Sequence, residues 1–142
     1  MLVKMVFQKQ ISLKSRAFDS IYDITSQVQA IVQESSIQNG MVNVFNIGST
    51  ASITTIEFEP GLQKDLPEFL NKIIPRGDSY NHDLTWGDGN GDAHLKASLI
   101  GPQITCPIKD ASLVLGTWQQ IILVDSDNRP RNRSIIVTVM GE

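Results

Sequence analysis

From residue 103 to residue 140 the chain offers four short runs rich in β-branched and apolar residues, 103–108, 112–115, 120–125 and 133–140. The breaks between them are too short to hold helices. Lys109, Asp110 and Ala111 suit a hairpin, and Asp127, Asn128, Arg129 and Pro130 suit a turn. A chain that ends this way must build a sheet from neighbouring strands.

The first half adds helices to that sheet. Residues 6–13 alternate, with Phe7, Ile11 and Leu13 on one side. Ile24, Val28, Ile31 and Val32 recur at helical spacing from a start near Asp23 or Thr25, and Gly40 follows as a turn residue. Residues 41–45 and 52–57 read as strands separated at Gly48. Pro60 and Gly61 break that run. A second helix is expected with Asp65 as N-cap, Pro67 in its first turn and Pro75 at its end. Residues 76–92 form a long polar, glycine-rich loop, of the kind usually tied to function. A short helix over 93–100 closes at Gly101 and Pro102. The expected class is α+β, a single domain over residues 1–142 with a mainly antiparallel mixed sheet and about three helices.

Composition limits the function. The chain has 142 residues, of which 41% are hydrophobic and 19% charged, enough for one real core. Its formal charge of −3 has no basic stripe against it, so neither nucleic acid nor an acidic membrane is an expected partner. Residues 1–10 are interrupted by Lys4 and Lys9 and lack the apolar core of a secretion signal. No apolar run approaches the ~20 residues that span a bilayer. Cys106 is the single cysteine, which excludes an intrachain disulfide and a zinc–thiolate cluster within one chain. A soluble, cytoplasmic setting is expected.

Both histidines, His82 and His94, fall in the unusual loop–helix segment, with Asp83, Asp88, Asn90 and Asp92 between them. Imidazoles with carboxylates suit zinc, whereas carboxylates with an amide oxygen suit magnesium. The same aspartates can equally hold turns while the histidines cap or pack. Gly48, Ser49 and Thr50 can turn backbone N–H groups toward an anion, or simply make a tight bend that needs glycine. Arg131 and Arg133 share a strand face, so they can clamp a phosphate together or form a salt-bridged edge. Trp118 can stack on a heterocycle beside Gln119, or pack. Glu57 and Glu59 flank Phe58 at the end of that strand, and one of them at most is expected to serve a given site, the other being solvated. There is no P-loop and no dinucleotide fingerprint.

Four blocks carry a resemblance: GSTASITTIE at 48–57, YNHD at 80–83, DAHLKASL at 92–99 and LGTWQ at 115–119. In this order and at this approximate spacing they resemble the signature blocks of the YjbQ-like family, over about residues 11–139. The resemblance implies a YjbQ-like α+β fold, a homotrimer with the polar blocks near subunit contacts, and a metal-binding site built around His82 and His94. By matching position it also implies roles for Glu57, Asp83, Lys96, Thr117, Trp118 and Gln119. Some members are credited with thiamine-phosphate synthase activity, which joins a pyrimidine diphosphate to a thiazole phosphate and releases pyrophosphate. Many members have histidine where this chain has Gly48, and asparagine where it has Ile56. A third imidazole is thus missing, and Asp88 or Asn90 is the expected substitute ligand.

Two functions are consistent with these residues. In the first, a transferase uses Glu57, His82, Asp83, His94 and Lys96 for catalysis. Ser49, Thr50, Asn90, Thr117, Trp118, Gln119, Arg131 and Arg133 would bind a phosphorylated substrate, and a zinc or magnesium ion would sit at His82, His94 and Asp88. In the second, a trimeric module binds a metal or a phosphorylated metabolite without turnover.

Overall fold

Alternation with a period of two runs the length of the first strand, where Ile11 is buried while Val6, Gln8, Gln10 and Ser12 stay exposed. The computed structural model describes residues 5–142, so the first four residues of the 1–10 stretch lie outside the described residues. The order is β1 (Met5–Ser15), β2 (Ser20–Asp23), α1 (Thr25–Glu34), β3 (Gly40–Ile47), β4 (Ala51–Ile56), α2 (Pro60–Ile73), α3 (Asn81–Trp86), α4 (Gly91–Ile100), β5 (Gln103–Lys109), β6 (Ser112–Leu113), β7 (Gln120–Asp125) and β8 (Arg131–Gly141).

The strands make two sheets, β1-β8-β3-β5-β6 and β2-β7-β4, and every described pairing is antiparallel. Their facing sides share one core. Val42, Val44, Ile135, Val137 and Val139 come from the larger sheet and Ile53, Ile121 and Leu123 from the smaller, with Val28, Ile31 and Val32 of α1 closing one side. The far side of the smaller sheet buries Ile122 and Val124 against Leu70 of α2, while α4 lies across β4. Cys106 belongs to the main core, and burial pushes its thiol pKa up. It is a packed residue and not an exposed nucleophile. No helix among the described residues is long and apolar enough to cross a membrane.

The α+β expectation holds, with corrections of detail. Among the described residues there are two antiparallel sheets instead of one mixed sheet, and four helices instead of about three. The second helix starts five residues before the expected cap. Pro60 occupies its first turn, and Glu59 caps it by accepting from the N–H groups of Gly61 and Leu62 at 2.8 and 2.5 Å. Pro67 therefore sits inside the helix, where the ring removes one backbone bond. β2 has only four residues and was not anticipated, because its alternation is too short to register. The loop at 76–92 contains α3, a six-residue helix ended by Gly87 in the left-handed conformation.

Lys96 has its own structural role. It is fully buried, and its ammonium group donates to Asp19 Oδ2, Asn71 Oδ1 and Asp92 Oδ2 at 3.0, 2.8 and 2.9 Å. Arg76 adds a 3.2 Å contact to the same Asp19 oxygen while its guanidinium covers the Phe18 ring at 4.2 Å. All three ammonium protons are thus used, and the cluster ties the β1–β2 bend to α2 and α4. Removing the cation leaves two buried carboxylates short of charge. Lys96→Ala is expected to lower unfolding free energy by about 3–5 kcal/mol in urea titrations. A loss below about 1 kcal/mol would show that the cluster is not a structural tie.

Candidate functional site

The bend between β3 and β4, the turn between β7 and β8 and the facing ends of α3 and α4 meet at one edge of the smaller sheet. They enclose an open cavity of about 460 Å³, within the range of small-molecule sites. Its walls are Gly48, Ser49 and Thr50 from the bend, His82, Trp86 and Asp88 around α3, Asn90 and His94 at the start of α4, and Arg131, Asn132 and Arg133 from β8.

Two glycines make this convergence possible. Gly48 has φ +143°, a value side chains rarely adopt. At Gly91 a Cβ would lie 2.6 Å from Tyr80 Cβ, so only glycine lets α4 begin this close to α3. That approach sets the rings of His82 and His94 4.3 Å apart between centroids, tilted by 52°.

Behind the cavity wall lies Asp127, fully buried and missed by sequence reasoning, which saw only a turn residue. Its carboxylate accepts from Thr50 Oγ1 at 2.9 Å, Asn90 Nδ2 at 3.2 Å, Arg131 Nε at 2.7 Å and the Asn128 N–H at 2.8 Å. Burial alone would raise its pKa. The hydrogen bonds from Asn90, Asn128, Thr50 and Arg131 outweigh burial and hold it below the usual carboxylate range. Asp125 beside it takes both Nε and Nη2 of Arg133, at 2.6 and 2.8 Å, and accepts from Ser15 Oγ. Arg133 Nη2 also donates to Thr50 Oγ1 at 2.7 Å. The arginine pair is salt-bridged from behind, and both side chains also line the cavity.

This network orients the histidines. A carboxylate only accepts, so the Asn90 amide turns its NH₂ toward Asp127 and its oxygen toward His82 Nε2, 3.1 Å away. The bond requires a proton on His82 Nε2, which leaves Nδ1 of the neutral ring as an acceptor. Burial lowers the pKa of His94, the neighbouring His82 lowers it further, and Asp127 and Asp88 oppose both effects only in part. His94 is accordingly neutral at pH 7.

The structure separates the other expected site residues. Lys96 lines no part of this cavity and is consumed by the buried cluster. Asp83 accepts from the Gly91 N–H at 3.0 Å and so holds the α3–α4 junction. Glu57 is exposed just past the opposite end of β4, roughly 20 Å from the bend at a strand rise of about 3.3 Å per residue. Gln119 lies at that same far end, donating to Thr55 Oγ1 at 3.2 Å. Thr117 accepts from Gln120 Nε2, and Trp118 is 72% exposed. The aromatic ring that does reach the cavity is Trp86, 74% exposed. Its place could have been suspected from its position between the two histidines.

The metal expectation meets a specific obstacle. Among the described residues no group of three or more His, Cys, Asp or Glu side chains is arranged to hold a metal ion. His82 Nε2 lies 3.5 Å from Asp88 Oδ1 and is already bonded to Asn90. This donor set does not fit a closed zinc site.

Because His94 titrates lower when folded, the unfolded chain binds protons first as pH falls below about 6.5. Stability is then full above that value and declines as pH drops toward the lowered folded pKa. The expected result is a lower Tm at pH 5.5 than at pH 7.5, with a smaller decline in His94→Gln. An equal decline in both proteins would remove His94 as its cause.

A sequence profile of the family described as "UPF0047 protein YjbQ-like" matches residues 9–142. A UPF0047 protein of Archaeoglobus fulgidus is 38% identical, covering 92% of this chain and 99% of that protein. YugU, a UPF0047 protein of Bacillus subtilis, is 32% identical over 94% of this chain and 98% of its own. The crystal structure of a protein of unknown function from Sulfolobus solfataricus superposes with a TM-score of 0.94 at 35% identity, covering 99% of this chain and 100% of that one. A second, from Clostridium acetobutylicum, gives 0.85 at 36% identity, with 92% and 98% covered. The chain belongs to the YjbQ-like UPF0047 family.

Proposed function

We propose that the cavity binds a small phosphorylated metabolite and that the chain acts on it as a transferase of the thiamine-phosphate synthase kind. The observation that carries the reading is convergence of donors. Ser49, the guanidinium groups of Arg131 and Arg133, and Asn132 all border one open space beside two imidazoles, while the Thr50 hydroxyl there gives its proton to Asp127. Phosphoryl oxygens are matched by such a set, because guanidinium and hydroxyl donors are strongest against an anion. Trp86 offers the ring surface that Trp118 was expected to supply.

In such a transfer the carbon–oxygen bond to the diphosphate breaks, its electrons leave with pyrophosphate, and the acceptor nitrogen's lone pair forms the new bond. What the chain must provide is charge neutralisation at the departing oxygens, the task of Arg131 and Arg133. Magnesium would suit this arrangement better than zinc: Asp88 would supply the one carboxylate it needs, and substrate phosphates and waters the rest.

The placement of Glu57 and Lys96 outside the cavity favours a second reading, binding without turnover. The proposal extends to a homotrimer in a cytoplasmic setting. Its support is the outer face of the larger sheet, where Val6, Gln8 and Gln10, Met140, Thr138 and Ile136, and Met41, Asn43 and Phe45 form cross-strand rows without one charged side chain. Interface cores are depleted of charge in the same way.

Native mass spectrometry with pyrophosphate, paired with a turnover assay on the pyrimidine diphosphate and thiazole phosphate, tests the reading. A trimer that retains pyrophosphate, loses it in His94→Ala and turns over substrate with a fall of about tenfold or more in that variant is expected. Retention without product selects the binding module. Absence of retention in the wild-type protein contradicts both.

A further inference from the structure

His82 and His94 border two spaces. One is the cavity that carries the arginines, and the other is a hollow of about 290 Å³. The two imidazoles are the only residues common to both walls. The spaces differ in chemistry. The cavity presents Arg131, Arg133 and Asp88, whereas no Asp, Glu, Lys or Arg side chain lines the hollow. Its walls beyond the histidines are Tyr80 and Leu95, completed by Ser79, Asn81 and Gly91.

The hollow is shaped by the fold itself. Tyr80 precedes α3, and its hydroxyl donates to the Pro75 carbonyl at 2.6 Å. At the other end of the side chain, Tyr80 Cβ packs against Gly91 at the start of α4. The phenol ring is thereby held at both ends and stands as a flat wall. Leu95 follows His94 on α4 and is 49% exposed where it borders the hollow. A smaller recess of about 210 Å³ also adjoins the cavity, but it borders His94 without His82 and presents no aromatic side chain beyond that imidazole.

We infer that the hollow receives the uncharged ring of a phosphate or diphosphate ester whose phosphoryl group the arginines hold, with the ester linkage lying across the His82–His94 pair. This rests on the phosphate-binding reading of the cavity and adds the class of ligand. A flat ring gains there by burial against Leu95 and by stacking on Tyr80. A carboxylate or second phosphate at the same end would leave water for a space without a cation, so charge on the ring is selected against. Because Tyr80 is fixed before ligand arrives, little ordering cost falls on binding. Trp86 borders the cavity and not the hollow, which leaves its face for the second reactant of a transfer.

The test titrates methyl phosphate and benzyl phosphate into the wild-type protein and into Leu95→Asn and Trp86→Ala, both changes at exposed positions, while NMR records which side chains the benzyl protons approach. The expected result is saturable binding of benzyl phosphate, tighter than methyl phosphate by about tenfold or more, the order set by burying a ring. Benzyl protons should lie against Tyr80 and Leu95. Leu95→Asn should cut the preference by about threefold or more while its affinity for methyl phosphate stays within about twofold of wild type. Equal affinity for the two esters overturns the hollow as the ring site and spares the cavity reading. Benzyl contacts to Trp86, with the preference lost in Trp86→Ala and kept in Leu95→Asn, do the same. Saturable binding of neither ester overturns both.

Discussion

The site depends on the Asp127 carboxylate. One buried side chain receives the β3–β4 bend through Thr50, the start of α4 through Asn90, and β8 through Arg131. Orientation then passes outward by elementary donor–acceptor logic: Asp127 can only accept, which turns the Asn90 amide, which places the proton on His82 Nε2. The chemistry of a ring at the cavity surface is thereby set two residues behind it. A buried carboxylate with no partners would be expelled or protonated, and four donors reverse that tendency.

Two compact charge clusters flank α4 and have different consequences. On one side Lys96 is closed off, with each ammonium proton given to Asp19, Asn71 or Asp92. That cluster has nothing left to offer a ligand. On the other side Asp125 and Asp127 engage Arg133 and Arg131 incompletely, leaving guanidinium protons at the cavity wall. Because the aspartates offset much of the arginine charge, the wall presents directed hydrogen-bond donors more than net positive potential. The proposed ligand is accordingly a small anion of fixed geometry and not an extended polyanion.

Much of the fold was legible because long strands and α1 repeat their pattern often enough to be read. The run at 120–125 is β7, and the run at 25–34 announces itself through Val28, Ile31 and Val32. β2 and α3 were not legible, since four residues span just two strand periods and six span fewer than two helical turns. Glu59 as a cap was hidden because glutamate is not a usual N-cap residue and Asp65 imitated one. For the site, His82, His94, Asn90, Ser49, Thr50, Arg131 and Arg133 do converge. Glu57, Lys96 and the Thr117–Gln119 group share blocks with such residues but not their location, because spacing along a strand or helix does not report which end or face meets a cavity. Asp127 was invisible for the opposite reason. It acts from behind the wall, and burial of a polar group becomes apparent only when its partners are assembled around it.

The most direct measurement is a crystal structure determined with pyrophosphate present. The account predicts density in the cavity between His82 and His94 on one side and Arg131 and Arg133 on the other. Pyrophosphate bound elsewhere, or an empty cavity at saturating concentration, would contradict it.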